Sequence, residues 1–200
     1  MMLDKYYGDN RDLLKWAILL HLAEQYRCKK ILQIAYYRKT DFGNIILDGK
    51  ENQIMPDVVK FFRNLDNIKK ISPHRKIEIF KEIFDYRKPG RQMYQSSVIA
   101  KIAEQKDEKA VVFLDPDTGL GTGKQRKKHV LKSECREIWD ALGFGFVFVL
   151  YQHRFRQKNW KEIRKRELAE GLGLAEAQVR IAEGPAIAKD VIFYYVQKRN

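Results

Sequence analysis

Two aspartates end an apolar run in "VVFLDPDTGL", residues 111 to 120, where Asp115 and Asp117 flank Pro116 and precede Thr118 and a glycine. A run of this kind that breaks off into carboxylates, a proline and a hydroxyl reads as a buried strand delivering polar groups to a site at its end. One chemistry open to Asp-x-Asp is the coordination of magnesium or manganese by hard oxygen ligands, with His153 or Glu134 nearby, in a phosphodiesterase or nuclease. A structural use is equally open, in which Asp117 caps a turn and Asp115 pairs with a lysine.

Two basic loops accompany the acidic turn. "KQRKKH", residues 124 to 129, supplies Lys124, Arg126, Lys127 and Lys128, and "YQHRFR", residues 151 to 156, supplies His153, Arg154 and Arg156. Cations gathered beside one pocket hold phosphates, whereas the same charges scattered over a surface only keep it hydrated. The chain carries 39 Lys plus Arg against 26 Asp plus Glu, a formal charge of +13, and this excess points to a nucleic-acid partner. "TGLGTGK" is not a nucleotide-binding loop, because Gly119 to Gly123 is one residue too short and Gln125 stands where a metal-binding hydroxyl belongs. Tyr36, Tyr37, Tyr94 and Tyr151 offer faces for base stacking, although tyrosines near strand ends usually belong to the core.

The elements that must position these groups follow from periodicity. Residues 12 to 25, "DLLKWAILLHLAEQ", predict a helix opened by Asp12, with Leu13, Trp16, Ala17, Leu20 and Leu22 near helical spacing. "ILQIAYY" and "NIILD" predict two short strands, the second ending at Asp48, and Pro56 opens a helix over residues 56 to 66. Residues 75 to 90 fit either a strand and loop or a helix ended by Pro89 and Gly90, with a helix expected over "QSSVIAKIAEQKDE" afterwards. Then come a strand at 110–115, a helix opened by Ser133, the strand "FGFVFVLYQ", a helix over 157 to 173, and two closing strands joined through Gly184-Pro185. Nearly continuous apolar strands alternating with helices predict an α/β fold with a mainly parallel sheet flanked by helices and a C-terminal antiparallel hairpin.

All 200 residues are expected to form one domain, without linkers or repeats. Cys28 and Cys135 lack metal-ligand spacing and read as reduced thiols, so no metal site is nominated from them. No run approaches the ~18 apolar residues of a membrane span, and the polar opening "MMLDKYYGDNRD" has no apolar leader core, so the expected location is cytoplasmic, with no membrane partner. Oligomeric state is not legible.

Two segments carry a family resemblance. "VVFLDPDTGL" resembles motif IV of the Rossmann-fold, S-adenosylmethionine-dependent methyltransferases, Asp-Pro-Pro-Tyr after the fourth strand. "GDNRDLLKW" resembles the Gly-Asn-His-Ala-Asp-Val-Leu-Lys-His segment of the ribosomal RNA adenine-N6 methyltransferase family, with Gly8, Asp12, Leu14 and Lys15 in matching places. The closing hairpin suits the antiparallel seventh strand of the same fold. The resemblance implies that Asp115 and Pro116 take the first two motif positions, Asp115 accepting from a base amine, with Asp117 and Thr118 in place of Pro-Tyr. It also implies an S-adenosylmethionine site near Tyr6, Gly8, Asp12, Lys15 and Gln33, with Asp48 on the ribose hydroxyls. Where the family has an acidic residue and a glycine-rich turn, this chain has "LQIAYYRKTDFG", whose Cβ-bearing residues crowd the approach of a cofactor to backbone. Three functions follow: methylation of RNA or DNA, binding of nucleic acid or a protein by a relative without activity, or magnesium-dependent nucleic-acid cleavage.

Overall fold

The structure, a computed structural model, describes residues 9–38, 43–62, 64–105, 108–121 and 128–199. Helix α1 spans Asn10–Gln25, and its first turn is capped by Asp9, whose Oδ1 accepts from Arg11 N at 2.8 Å and Asp12 N at 3.0 Å. The cap therefore lies upstream of Asp12, which sits on the buried face with Leu14, Lys15, Trp16, Leu19, Leu22 and Ala23. Leu13 and Ala17 point outward. The stripe was disguised because two of the residues at its head, Asp12 and Lys15, are charged.

Strand β1, Lys30–Ile34, is buried throughout. Strands β2, Asn44–Leu47, and β3, Lys50–Gln53, form a separate exposed hairpin rather than joining the main sheet. Their turn is Asp48-Gly49, both at positive φ (+49° and +75°), the pairing that a two-residue type I′ hairpin favours. The helix expected over residues 56 to 66 is shorter: α2 covers Pro56–Phe62, and a 3-10 segment, Leu65–Ile71, follows with Asn64 accepting from Asp66 N.

Strand β4, Lys76–Phe80, resolves the ambiguous stretch in favour of strand and loop. Helix α3, Gly90–Ala103, begins at the Pro89-Gly90 pair that sequence allowed as a stop. Strand β5 is Ala110–Leu114, followed by the short parallel pair β6, Gly119–Leu120, and β7, His129–Val130. Helix α4, Lys132–Ala141, is opened at Leu131 rather than Ser133, because the Glu134 carboxylate reaches back to accept from Leu131 N at 2.8 Å. Strand β8, Val147–His153, leads to helix α5, Trp160–Leu172, which Gly173 closes at φ +67°. A 3-10 turn precedes β9, Arg180–Ala182, and β10, Val191–Gln197, ends the order.

The main sheet has the order β4-β1-β5-β8-β10-β9. Its first four strands are parallel, while β10 runs antiparallel to both β8 and β9. The expected fold class, including the closing antiparallel hairpin, is therefore the observed one. Alternation along each strand feeds two cores. Leu32, Ile34, Val112, Leu114, Phe148 and Leu150 face α3, α4 and α5, whereas Ile31, Val111, Phe113, Val147 and Val149 face α1. Because β4 and β5 lie on opposite sides of β1, the winding reverses there, and a crevice opens over the carboxyl ends of β1 and β5. Among the described residues no helix is long and apolar enough to cross a membrane.

Candidate functional site

Ile34 and Leu114 are partners in register, and Asp115 N donates to Ile34 O at 3.0 Å, so the ladder carries Asp115 to the crevice between β1 and β5. There Asp115 Oδ2 accepts from Lys15 Nζ at 2.9 Å and Gln33 Nε2 at 2.7 Å. Lys15 Nζ also donates to Asp12 Oδ1 at 2.5 Å. All four side chains are buried. Burial alone favours the neutral amine, but the Asp115 and Asp12 carboxylates outweigh it and raise the Lys15 pKa. The two segments that carry the resemblance thus meet in one ion pair, which is also the lysine partnership that sequence allowed for Asp115.

The turn beyond Asp115 is built on Thr118. Its N and Oγ1 donate to Lys128 O at 3.1 and 2.9 Å, and its carbonyl accepts from His153 N at 3.2 Å. Asp117 Oδ2 lies 3.6 Å from Lys128 Nζ, while Pro116 is buried behind it. The acidic turn, the end of the 124–129 loop and the start of the 153–156 loop therefore share one rim. Lys128, Arg154 and Arg156 are exposed along it. Of the nominated residues, Tyr6, Gly8, Lys124, Arg126 and Lys127 lie outside the described residues.

Gln152 locks this turn, donating from Nε2 to Thr118 O at 2.9 Å and accepting Leu120 N at 2.9 Å through Oε1. Gly119 permits it: φ is +104°, and a Cβ there would stand 2.3 Å from Gln152 Oε1. Gly119→Ala is expected to cost about 2–4 kcal/mol, combining positive-φ strain with disruption of the Gln152 bonds. Urea unfolding checks it, and a cost below about 1 kcal/mol would mean that the turn tolerates rearrangement.

Three rim groups escaped sequence reading. Asp190 Oδ2 receives Arg11 Nη2 at 2.5 Å and lies 3.1 Å from His153 Nε2, tying α1 to the end of β8. The Asp190 carboxylate is itself held below its ordinary pKa, first by the Arg11 hydrogen bond. Arg38 is half-buried near Asp117, burial lowering its pKa against the pull of that carboxylate. Arg11 lay inside a segment already singled out, but nothing marked Asp190 as its partner.

His129, on β7, is pushed down to about 4, chiefly by burial and then by Arg164 and Arg91, and its Nδ1 is buried without a hydrogen-bond partner among the described residues. A histidine with a depressed folded-state pKa stabilises the fold above its unfolded pKa of about 6.5, and that contribution fades as pH falls toward the folded value. Acidification from pH ~6.5 to ~4 should therefore remove about 1–3 kcal/mol, and His129→Gln should flatten that part of the melting-temperature profile. An unchanged profile in the variant would refute the assignment.

The expected S-adenosylmethionine site depends on the turn after β1. Ala35 N is committed to Phe80 O at 3.1 Å and Tyr36 N to Tyr94 Oη at 3.1 Å, so the two N–H groups are used internally. Tyr36, at φ +46°, buries its ring against Phe84 and Tyr94, centroids 5.1 and 5.4 Å away, while Tyr37 packs with Ala35, Leu65 and Ile79. Tyrosine side chains thus occupy both sides of a turn that would need open backbone. Asp48, exposed at the tip of the β2–β3 hairpin, does not follow a strand of the main sheet; the acid that follows β4 is Glu82. These residues do not fit the cofactor in the manner the resemblance implies.

Nor does the donor set suit magnesium, because the Lys15 ammonium already takes the place on Asp115 that a cation would need. No group of three or more His, Cys, Asp or Glu side chains suited to a metal occurs among the described residues. No protein-family model matches the chain, and no curated protein matches it.

Proposed function

We propose that this protein binds nucleic acid along the carboxyl-end rim of its sheet, as a relative of the methyltransferase fold that does not use S-adenosylmethionine. The observation that carries the reading is the convergence on Thr118, which is bonded to both Lys128 and His153 and so holds the end of one basic loop and the start of another against one turn. Exposed Lys128, Arg154 and Arg156 stand ready for phosphates, and the overall charge of +13 favours a polyanion at long range. The strand order, with its reversed strand near the end, supports kinship with the fold.

Within that kinship the former chemical centre serves as structure. Asp115, closed off by Lys15 and Gln33, ties α1 to the sheet and keeps the rim in place. Asp117, half-buried beside Lys128, is the acid that reaches the surface. It tempers the positive rim locally, which favours reversible contacts over tight ones.

Two titrations test the reading together. A labelled oligonucleotide should bind with an affinity that falls steeply as salt rises, and calorimetry with S-adenosylmethionine should give no heat. Heat in the second titration would return the protein to the methylating group it resembles. Absence of oligonucleotide binding at low salt would reject the nucleic-acid reading itself.

A further inference from the structure

We propose that strand β2 docks against β2 of a second copy of this chain, edge to edge and antiparallel, giving a two-fold dimer with a four-stranded sheet in the order β3-β2-β2-β3. The inference goes beyond the nucleic-acid reading and does not depend on it. It starts from the hairpin's isolation: among the described residues β2 pairs only with β3, neither joins the main sheet, and all four residues of each strand are exposed. A two-stranded hairpin alone is marginal in water, and an unpaired strand edge is a template for another strand.

The two strands differ in kind. In register, Asn44, Ile45, Ile46 and Leu47 of β2 lie opposite Gln53, Asn52, Glu51 and Lys50 of β3. Opposite residues share a face and successive ones alternate, so one face carries Ile46 with Glu51 and the other carries Ile45 and Leu47 with Asn52 and Lys50. Strand β3 is thus polar on both faces, as suits an edge facing water, whereas β2 beyond Asn44 is apolar on both, as strands inside a sheet are. Yet Ile46 is 70% exposed and Leu47 57%, and no charge or proline in Asn44–Leu47 guards the free edge.

A second copy is the occupant that fits. Two-fold pairing sets the apolar strands at the centre and the charged β3 strands at both outer edges, so the assembly closes at two chains instead of growing. Charge points the same way. Residues 44–61 carry Asp48, Glu51 and Asp57 against Lys50 and Lys60, one acid in excess on a chain of +13, so two copies meet here without opposing their cations, and a nucleic acid finds no basic patch. The surface is also extensive enough. Met55 and Val58, which follow the hairpin directly, are 73% and 45% exposed, and residues 44–61 approach the roughly 20 residues a side of an interface that buries about 800 Å² per partner.

Sedimentation equilibrium of the full chain from about 1 to about 100 μM tests the proposal. The wild type should approach twice the mass of one chain across that range, with a melting temperature that rises with protein concentration. Ile46→Lys brings like charges together at the paired edges from an exposed position, so it should weaken the dimer by at least about 10-fold and remove the concentration dependence of melting. Arg154→Ala/Arg156→Ala, on the rim, should leave the dimer unchanged. A wild type that is still monomeric at about 100 μM overturns the proposal, even where a different protein proves to cover the hairpin. A dimer that Ile46→Lys leaves intact, or growth beyond two chains, overturns it as well.

Discussion

Lys15→Met should lower the unfolding free energy by about 3–5 kcal/mol, a large part of what a domain of this size possesses. The lysine ammonium is the buried cation between Asp115 and Asp12, and the side chains of Lys15 and Asp115 are only 6% and 5% exposed. Removing it leaves two carboxylates under the surface without the cation they share, so that each stays desolvated with no counter-charge from Lys15 or takes up a proton. Asp115→Asn should be milder, about 1–2 kcal/mol, because the amide still offers an oxygen to Lys15 and Asp12 still balances the charge.

The pH dependence has a definite sign. A lysine whose folded pKa is raised stabilises the fold fully below its unfolded value of about 10.4, and the contribution fades as pH climbs through the higher folded value. Wild type should therefore lose more stability above pH ~10.5 than Lys15→Met does. Urea titrations of the three proteins near neutrality decide the ranking. If Lys15→Met cost less than about 1 kcal/mol, the network would not be the buried tie described here.

The second large effect is on binding. Lys128→Ala/Arg154→Ala/Arg156→Ala removes three exposed cations from the rim while leaving the turn's backbone bonds intact. Every phosphate that is no longer neutralised should make the slope of log affinity against log salt shallower by about 0.7 on a single strand, so the triple variant's slope should be shallower by about 2. Affinity near 0.1 M salt should fall by about 10- to 100-fold, with melting temperature almost unchanged. An equal weakening from three lysines replaced elsewhere on the surface would show attraction to net charge alone, without a localised site.

What could be read from the letters divides along physical lines. Strand β5 and its terminal Asp115 were legible because an apolar run interrupted by Asp-Pro has few other meanings, and burial on both faces demanded parallel neighbours. The basic loop at His153 was legible by topology, since it follows a parallel strand and so shares the carboxyl edge with Asp115. Asp48 was misplaced because "NIILD" has the composition of a sheet strand, whereas Asp48-Gly49 is a stronger local instruction for a hairpin.

Other features were hidden for reasons of distance or side-chain type. The inner face of α1 begins with Asp12 and Lys15, and only the later arrival of Asp115 makes burying them tolerable. Helix α4 is opened by a glutamate reaching backward, so the serine that composition favours was the wrong cap. The conflict at Tyr36 and Tyr37 was visible as bulky residues in a turn that the resemblance wanted small. Which side each ring would occupy depended on Tyr94, Phe84 and Leu65, brought in from elsewhere in the chain.

Hydrogen exchange of backbone amides with and without a saturating single-stranded oligonucleotide tests the binding surface most directly. Protection should concentrate in residues 117–121, 128–130 and 153–158. Protection confined to the opposite edge of the sheet, around residues 143–146, with the rim unaffected, would contradict the account.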